Sequence, residues 1–363
     1  MIALLLLGAC AFRLGPPAVS YGPDAPMPLV HTSVDTRRWY LPMDSEDHGS
    51  WVWFVDTGYT YSACDDDLIG AVSAPTRGRT AVRGEIGRVD GTKAALPSLL
   101  LGGHTVTGLA CQVRDLDGTS SIKDPGEVRV AGVIGMDVLR RFRVTIDPAA
   151  GVLHLRDPSA VPPLRRGVPG VTRVRRAALL GPRFRLPLTL DGVRRWPVVD
   201  TGASTTHVDG ARYHIDGTSF ETDVRVSGTG GAVVRSQGFH RVAKVAVGAL
   251  SVGSATLTDR HRPFGTAGLL GVDLLSQFSQ DYDFRRGRAR LTPGTPRPLP
   301  TWRVWDGAED SMAPAWLFDT IQPRPGGSLA PGPIHRAPRP QRAEAPHSAH
   351  PHPRRSPRPG APR

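Results

Sequence analysis

The sequence predicts an all-β protein built as two tandem units, and three observations carry that prediction. Gly (41) and Pro (35) together make 76 of 363 residues, roughly 21% against a usual ~12%, which excludes a coiled coil or a long-helix protein. Short stretches rich in Val, Leu, Thr and Trp recur between Gly, Asp and Pro. They run from Trp51 to Val55, Leu96 to Leu101, Val144 to Ile146, Val152 to Leu155, Phe184 to Leu190 and Val242 to Val247, the pattern of short strands joined by tight turns. Finally, the chain is written twice. Residues 132–155 (GVIGMDVLRRFRVTIDPAAGVLHL) align without a gap to 268–291 (GLLGVDLLSQFSQDYDFRRGRARL), matching Gly135 with Gly271, Asp137 with Asp273, Phe142 with Phe278 and Asp147 with Asp283.

In chain order, residues 1–10 hold a short apolar run that ends in Gly8-Ala9-Cys10. It is too short to cross a bilayer, and beyond it no uninterrupted apolar run reaches the ~18 residues a span needs. Leu7-Gly8-Ala9-Cys10 resembles a bacterial lipoprotein box, so the expectation is export to the cell envelope with Cys10 lipidated and the membrane reached through that anchor. A mis-set start or a buried strand is the other reading. The first lobe is placed at 27–155, where Leu41-Pro42-Met43 precedes Phe54-Val55-Asp56-Thr57-Gly58. The second is placed at 181–292, where Leu186-Pro187-Leu188 precedes Val198-Val199-Asp200-Thr201-Gly202. Each lobe is expected to hold one two-turn helix, Met136 to Phe142 and Val272 to Phe278. Residues 156–180, with Pro158, Pro162, Pro163 and Pro169 among several Arg, read as a linker. In the tail, 293–363, Trp302, Trp305, Trp316, Leu317, Phe318 and Ile321 are expected to dock on the second lobe. Residues 322–363 hold 12 Pro and almost no large apolar side chains, too few to offset ordering entropy, so disorder is expected there.

Net charge is +12, but residues 322–363 carry eight Arg and one Glu, or +7, which leaves +5 for the rest. The basicity is mostly a tail, and nucleic acid is not required as a partner. The three cysteines, Cys10, Cys64 and Cys111, show no zinc spacing, so no metal is expected. Cys64 and Cys111 fall in the same half, where they form either a disulfide or two buried thiols.

The chemistry lies in Asp-Thr-Gly, found once per half at Asp56-Thr57-Gly58 and Asp200-Thr201-Gly202, each time directly after apolar residues. A random chain of this length holds that tripeptide only ~0.1 times. An apolar strand ending in Asp puts a carboxylate at the edge of the core, and the Gly lets the chain turn without a Cβ clash. If the two loops meet face to face, like charge raises one pKa and the pair holds a single proton over a broad acidic range. One Asp then serves as general base toward a water and the other as general acid toward a carbonyl oxygen, so no cofactor is needed.

On these residues the chain resembles the aspartic proteases, most closely the retropepsin-like group. The resemblance spans about residues 27–292 and includes the triplets Val133-Ile134-Gly135 and Leu269-Leu270-Gly271. It implies two tandem acid-protease (retropepsin-like) β-barrel lobes related by a pseudo-twofold axis, an aspartic endopeptidase acting on an extended peptide or protein, and a monomer, because one chain supplies both halves. It further implies that Asp56 and Asp200 are the catalytic pair, that the Thr57 and Thr201 hydroxyls cross-link the loops, and that Gly58 and Gly202 offer amides to the carboxylates. Thr60 and Ser204 would bond the outer carboxylate oxygens. Tyr59 stands where a small residue is usual. Flap hairpins are sought at Arg83 to Thr92 and Ser227 to Val234, with plain surface loops as the alternative. A binding or structural protein that keeps the fold without cleaving is the competing functional reading. The lone histidines His104, His207 and His240 read as ordinary hydrogen-bonded or exposed side chains.

Overall fold

The protein is mostly β-sheet. The structure, a computed structural model, describes residues 16–32, 35–45, 49–84, 87–114, 116, 129–176, 181–215, 219–227, 233–259, 267–296, 298–299 and 301–302. All of them belong to one compact unit, residues 1–313. Cys10, Trp305, Trp316, Leu317, Phe318, Ile321 and the tail beyond lie outside the described residues.

Two ten-stranded sheets carry the two Asp-Thr-Gly segments. In the first, Gly49–Val55 lies parallel to Arg129–Ile134, which pairs antiparallel with Ala63–Asp65, itself parallel to His104–Arg114. In the second, Val198–Val199 lies parallel to Gly268–Leu270, which pairs antiparallel with His207–Val208, itself parallel to Leu250–Asp259. Apolar runs such as Trp51 to Val55 are buried throughout because these central strands are covered on both faces.

A third, six-stranded sheet draws on both repeats. Arg143–Asp147 and Phe278–Asp283 form its centre, with Val144 opposite Tyr282 and Ile146 opposite Gln280. One continuous apolar core runs from Leu29 and Trp39 through Ile146 and Leu155 to Val199, Tyr282 and Leu291. At the centre of this sheet Arg143, buried, reaches Asp281 with Nη2 at 2.7 Å and Asp283 with Nη1 at 3.2 Å, and its Nε also bonds Asp281.

Three expectations change. The helices are one turn, Met136–Leu139 and Val272–Leu275. Each must end early because the following strand enters the six-stranded sheet within a few residues, at Arg143 and Phe278. The stretch read as a linker contributes strands Val171–Arg173 and Arg175–Arg176 and buries Val174 between them. Past residue 293, Leu299 enters the core, and Thr301–Trp302 pairs with Val30–Thr32 of the first ten-stranded sheet, not with the second half.

Candidate active site

Asp56 and Asp200 each leave the end of a buried parallel strand, and the repeated triplet fixes the exit. The Asp56 N–H donates to Ile134 O at 3.1 Å and the Asp200 N–H to Leu270 O at 3.0 Å. Each Asp carbonyl then accepts from the residue three places on, Tyr59 N–H at 3.3 Å and Ala203 N–H at 3.2 Å, closing a tight turn. Gly135 and Gly271 press against these turns. A Cβ there would fall 3.0 Å from Tyr59 O and 2.8 Å from Ala203 O, so no side chain fits. The next N–H groups, from Met136 and Val272, bond those same two carbonyls at 2.9 Å each.

The two loops are tied to each other through buried threonines. Thr57 Oγ1 donates to Val199 O at 3.1 Å and accepts from Thr201 N–H at 3.1 Å. Thr201 Oγ1 donates to Val55 O at 2.6 Å and accepts from Thr57 N–H at 3.0 Å. All four donors of this lattice are paired, which holds the two loops at a set distance.

Above it the carboxyls meet. Gly58 N–H donates to Asp56 Oδ1 at 2.7 Å and Gly202 N–H to Asp200 Oδ1 at 2.9 Å. The glycines are required by space: neither has positive φ. A Cβ on Gly58 would lie 2.3 Å from Asp200 Cγ, and one on Gly202 2.3 Å from Asp56 Oδ2. Asp56 is held well above the ordinary carboxylate range, first by burial and then by the charge of Asp200. The Gly58 amide and Arg38 oppose the shift, while a hydrogen bond between the two carboxyls adds to it. Such a pair gives up its first proton readily and its second only with difficulty.

Several contributors were not singled out in the sequence. Arg38 Nη1 donates to Gly202 O and Arg183 Nη1 to Gly58 O, both at 3.5 Å, so each half reaches across to the other's loop. The signal was present: each arginine stands three residues before the Leu-Pro of its half. Likewise Asp137 accepts from Ser62 N–H (2.9 Å) and Oγ (2.8 Å), and Asp273 from Thr206 N–H (2.9 Å) and Oγ1 (2.6 Å). These hydroxyls accept in turn from Gly135 N–H and Gly271 N–H at 3.0 Å. Burial raises both Asp137 and Asp273 above the ordinary carboxylate value against those bonds.

The halves differ at one loop position. Where the second loop has Ala203, the first has Tyr59, packed against a small apolar cluster that includes Val52, Phe54 and Val133, with its hydroxyl accepting from Arg114 Nη1 at 2.7 Å. Burial raises the Tyr59 phenol above its usual value, and Arg114 partly offsets this. Ser204, two residues beyond Gly202, is partly exposed. Thr60 sits against Gly181, where a Cβ would come within 2.9 Å of its Cγ2.

Cys64 and Cys111 are joined as a disulfide with Cα atoms 5.6 Å apart. The flap segments are arms of hairpins, Thr76–Gly84 with Gly87–Leu101 and Ser219–Ser227 with Val233–Val247, while the tips at 85–86 and 228–232 lie outside the described residues. The three histidines are buried: His104 Nε2 bonds Leu155 O, His207 Nε2 contacts Thr205 Oγ1 at 3.0 Å, and His240 Nε2 lies 2.9 Å from Asp259 Oδ2.

No protein-family model and no curated protein matches the chain. Among solved structures it is similar to a retropepsin-like aspartic protease from Rickettsia conorii, at 17% identity over 33% of this chain and 87% of that one, with a TM-score of 0.26.

Proposed function

We propose that this chain is an aspartic endopeptidase, with lobes at residues 27–155 and 181–292 duplicated about a pseudo-twofold axis, acting as an exported monomer on extended peptide or protein. The single observation that carries the reading is the face-to-face carboxyl pair, Asp56 with Asp200, held on loops that the Thr57 and Thr201 hydroxyls lock together. With one proton shared, the ionised member removes a proton from a water that attacks the scissile carbonyl. The protonated member hydrogen-bonds the carbonyl oxygen and then returns a proton toward the leaving amine. Burial keeps this proton in place, and the Gly58 and Gly202 amides orient the carboxylates.

The test is hydrolysis of an unfolded protein at about pH 4–6, where a coupled pair carries one proton, by the unaltered chain and by Asp56→Asn and Asp200→Asn. Cleavage that both substitutions abolish is expected; equal turnover in all three removes the reading. The rival, a binding protein on the same scaffold, draws on Tyr59 and its Arg114 bond, which have no counterpart at Ala203. It requires peptide binding with no turnover at any pH.

A further inference from the structure

Residues 165–195 contain nine Arg and a single acid, Asp191, and six of the nine, Arg165, Arg166, Arg173, Arg175, Arg176 and Arg194, are exposed. Val174 points into the core, so its neighbours Arg173 and Arg175 point outward by strand alternation, and both are exposed. Arg173 stands directly opposite Arg288 on the adjoining strand, and Arg175 directly opposite Arg185. Like charges in facing cross-strand positions lower stability, and two such pairs occur here. Among the described residues no carboxylate forms an ion pair with Arg165, Arg166, Arg173, Arg175 or Arg194.

Apolar groups sit among these charges. Trp196, partly exposed, is flanked by Arg175, whose Cζ is 3.9 Å from the ring centroid, and by Arg194 at 5.5 Å. Val168, 41% exposed, projects from a turn closed by Val171 N–H to Val168 O at 3.1 Å, directly after Arg165 and Arg166. The turn abuts the strand that carries Arg288, whose Nη1 donates to Leu164 O at 2.8 Å. A partly exposed indole flanked by guanidinium groups, and an exposed valine close in sequence to Arg165 and Arg166, suit the boundary between phosphate headgroups and acyl chains. The Cys64–Cys111 disulfide suits an oxidising compartment, where membrane is present and nucleic acid is not.

We propose that the exposed arginines Arg165, Arg166, Arg173, Arg175 and Arg194, with Val168 and Trp196, form a docking surface for an anionic lipid bilayer, apart from the carboxyl pair and from the arginine-rich tail. The test uses the full chain and sedimentation with phosphatidylcholine vesicles, plain or with about 30 mol% phosphatidylglycerol. Binding to the anionic vesicles alone is expected. Each arginine near such a surface is worth about fivefold, so Arg173→Ala/Arg175→Ala/Arg194→Ala weakens binding on the order of a hundredfold. Without lipid, that variant should melt close to the unaltered chain, because relief of repulsion between facing arginines offsets the lost Arg175 and Arg194 contacts with the Trp196 ring. Arg165→Ala/Arg166→Ala, confined to an exposed loop, gives a second arm with an expected loss of about 25-fold. Unchanged vesicle affinity in both variants, no binding by the unaltered chain, or displacement of the chain from vesicles by duplex DNA would each overturn the proposal.

Discussion

Gly202→Ala probes the meeting of the two loops without reference to activity. The added Cβ would lie 2.3 Å from Asp56 Oδ2 and 2.5 Å from its Cγ, about 1 Å short of an ordinary contact. Forcing an extra carbon into such a site costs about 1–3 kcal/mol. Because Gly202 is not held at positive φ, the loss of unfolded-chain entropy returns about 0.4–1 kcal/mol, leaving a net destabilisation of about 1–2 kcal/mol. In an Asp56→Ala background the clashing atoms are gone, and Gly202→Ala should be neutral or stabilising. The coupling in this double-mutant cycle is therefore expected at about 1–3 kcal/mol, measured by urea unfolding with unchanged slope. Gly70→Ala, with nothing within 4 Å and inside the helix Asp66–Ala71, serves as control and should stabilise by about 0.5–1 kcal/mol. Should Gly202→Ala have the same effect whether or not Asp56 is present, the carboxylate does not oppose that glycine and the packing argument fails.

Other perturbations test the supports of the site. Thr57→Val keeps shape but leaves Val199 O and Thr201 N–H unpaired, so thermal or urea unfolding should report a loss of about 2–3 kcal/mol. Thr57→Val with Thr201→Val should cost less than the sum, because they share one lattice. Arg143→Ala removes its charged bonds to Asp281 and Asp283 but leaves Asp281 with Arg290 and Asp283 with Arg286, an expected loss of about 2–3 kcal/mol by denaturant titration. Removing the disulfide with Cys64→Ala/Cys111→Ala opens a loop of sequence separation 47, and loop entropy sets the expected loss near 4 kcal/mol, read as the urea midpoint against the unaltered oxidised chain.

The strand-rich character and the paired Asp loops were legible because burial imposes apolar runs on the central strands and the Asp-Thr-Gly and apolar-apolar-Gly segments each occur twice in the sequence. The Asp137 and Asp273 bonds were visible as a match in the repeat, but their partners Ser62 and Thr206 are 75 and 67 residues away, beyond any local pattern. Arg38 and Arg183 escaped for the same reason, since each acts on the opposite half. Glycine at 58 and 202 suggested a turn, whereas the opposing carboxylate is what excludes a side chain. The Pro-rich stretch before residue 180 reads locally as a connector. Its two short strands exist because neighbouring sheets offer open edges at Arg288–Pro293 and Phe184–Arg185.

The most direct measurement is the titration of the Asp56 and Asp200 carboxyl carbons by NMR in the folded chain. Burial and the facing charge raise Asp56, so the folded chain retains a proton that the unfolded one releases near pH 4. This pair's contribution to stability therefore falls as pH rises from there to the raised value. The account predicts two linked steps, one well above the ordinary aspartate range, with the upper step displaced downward in Asp200→Asn. Two independent titrations near pH 4, untouched by that substitution, would contradict it.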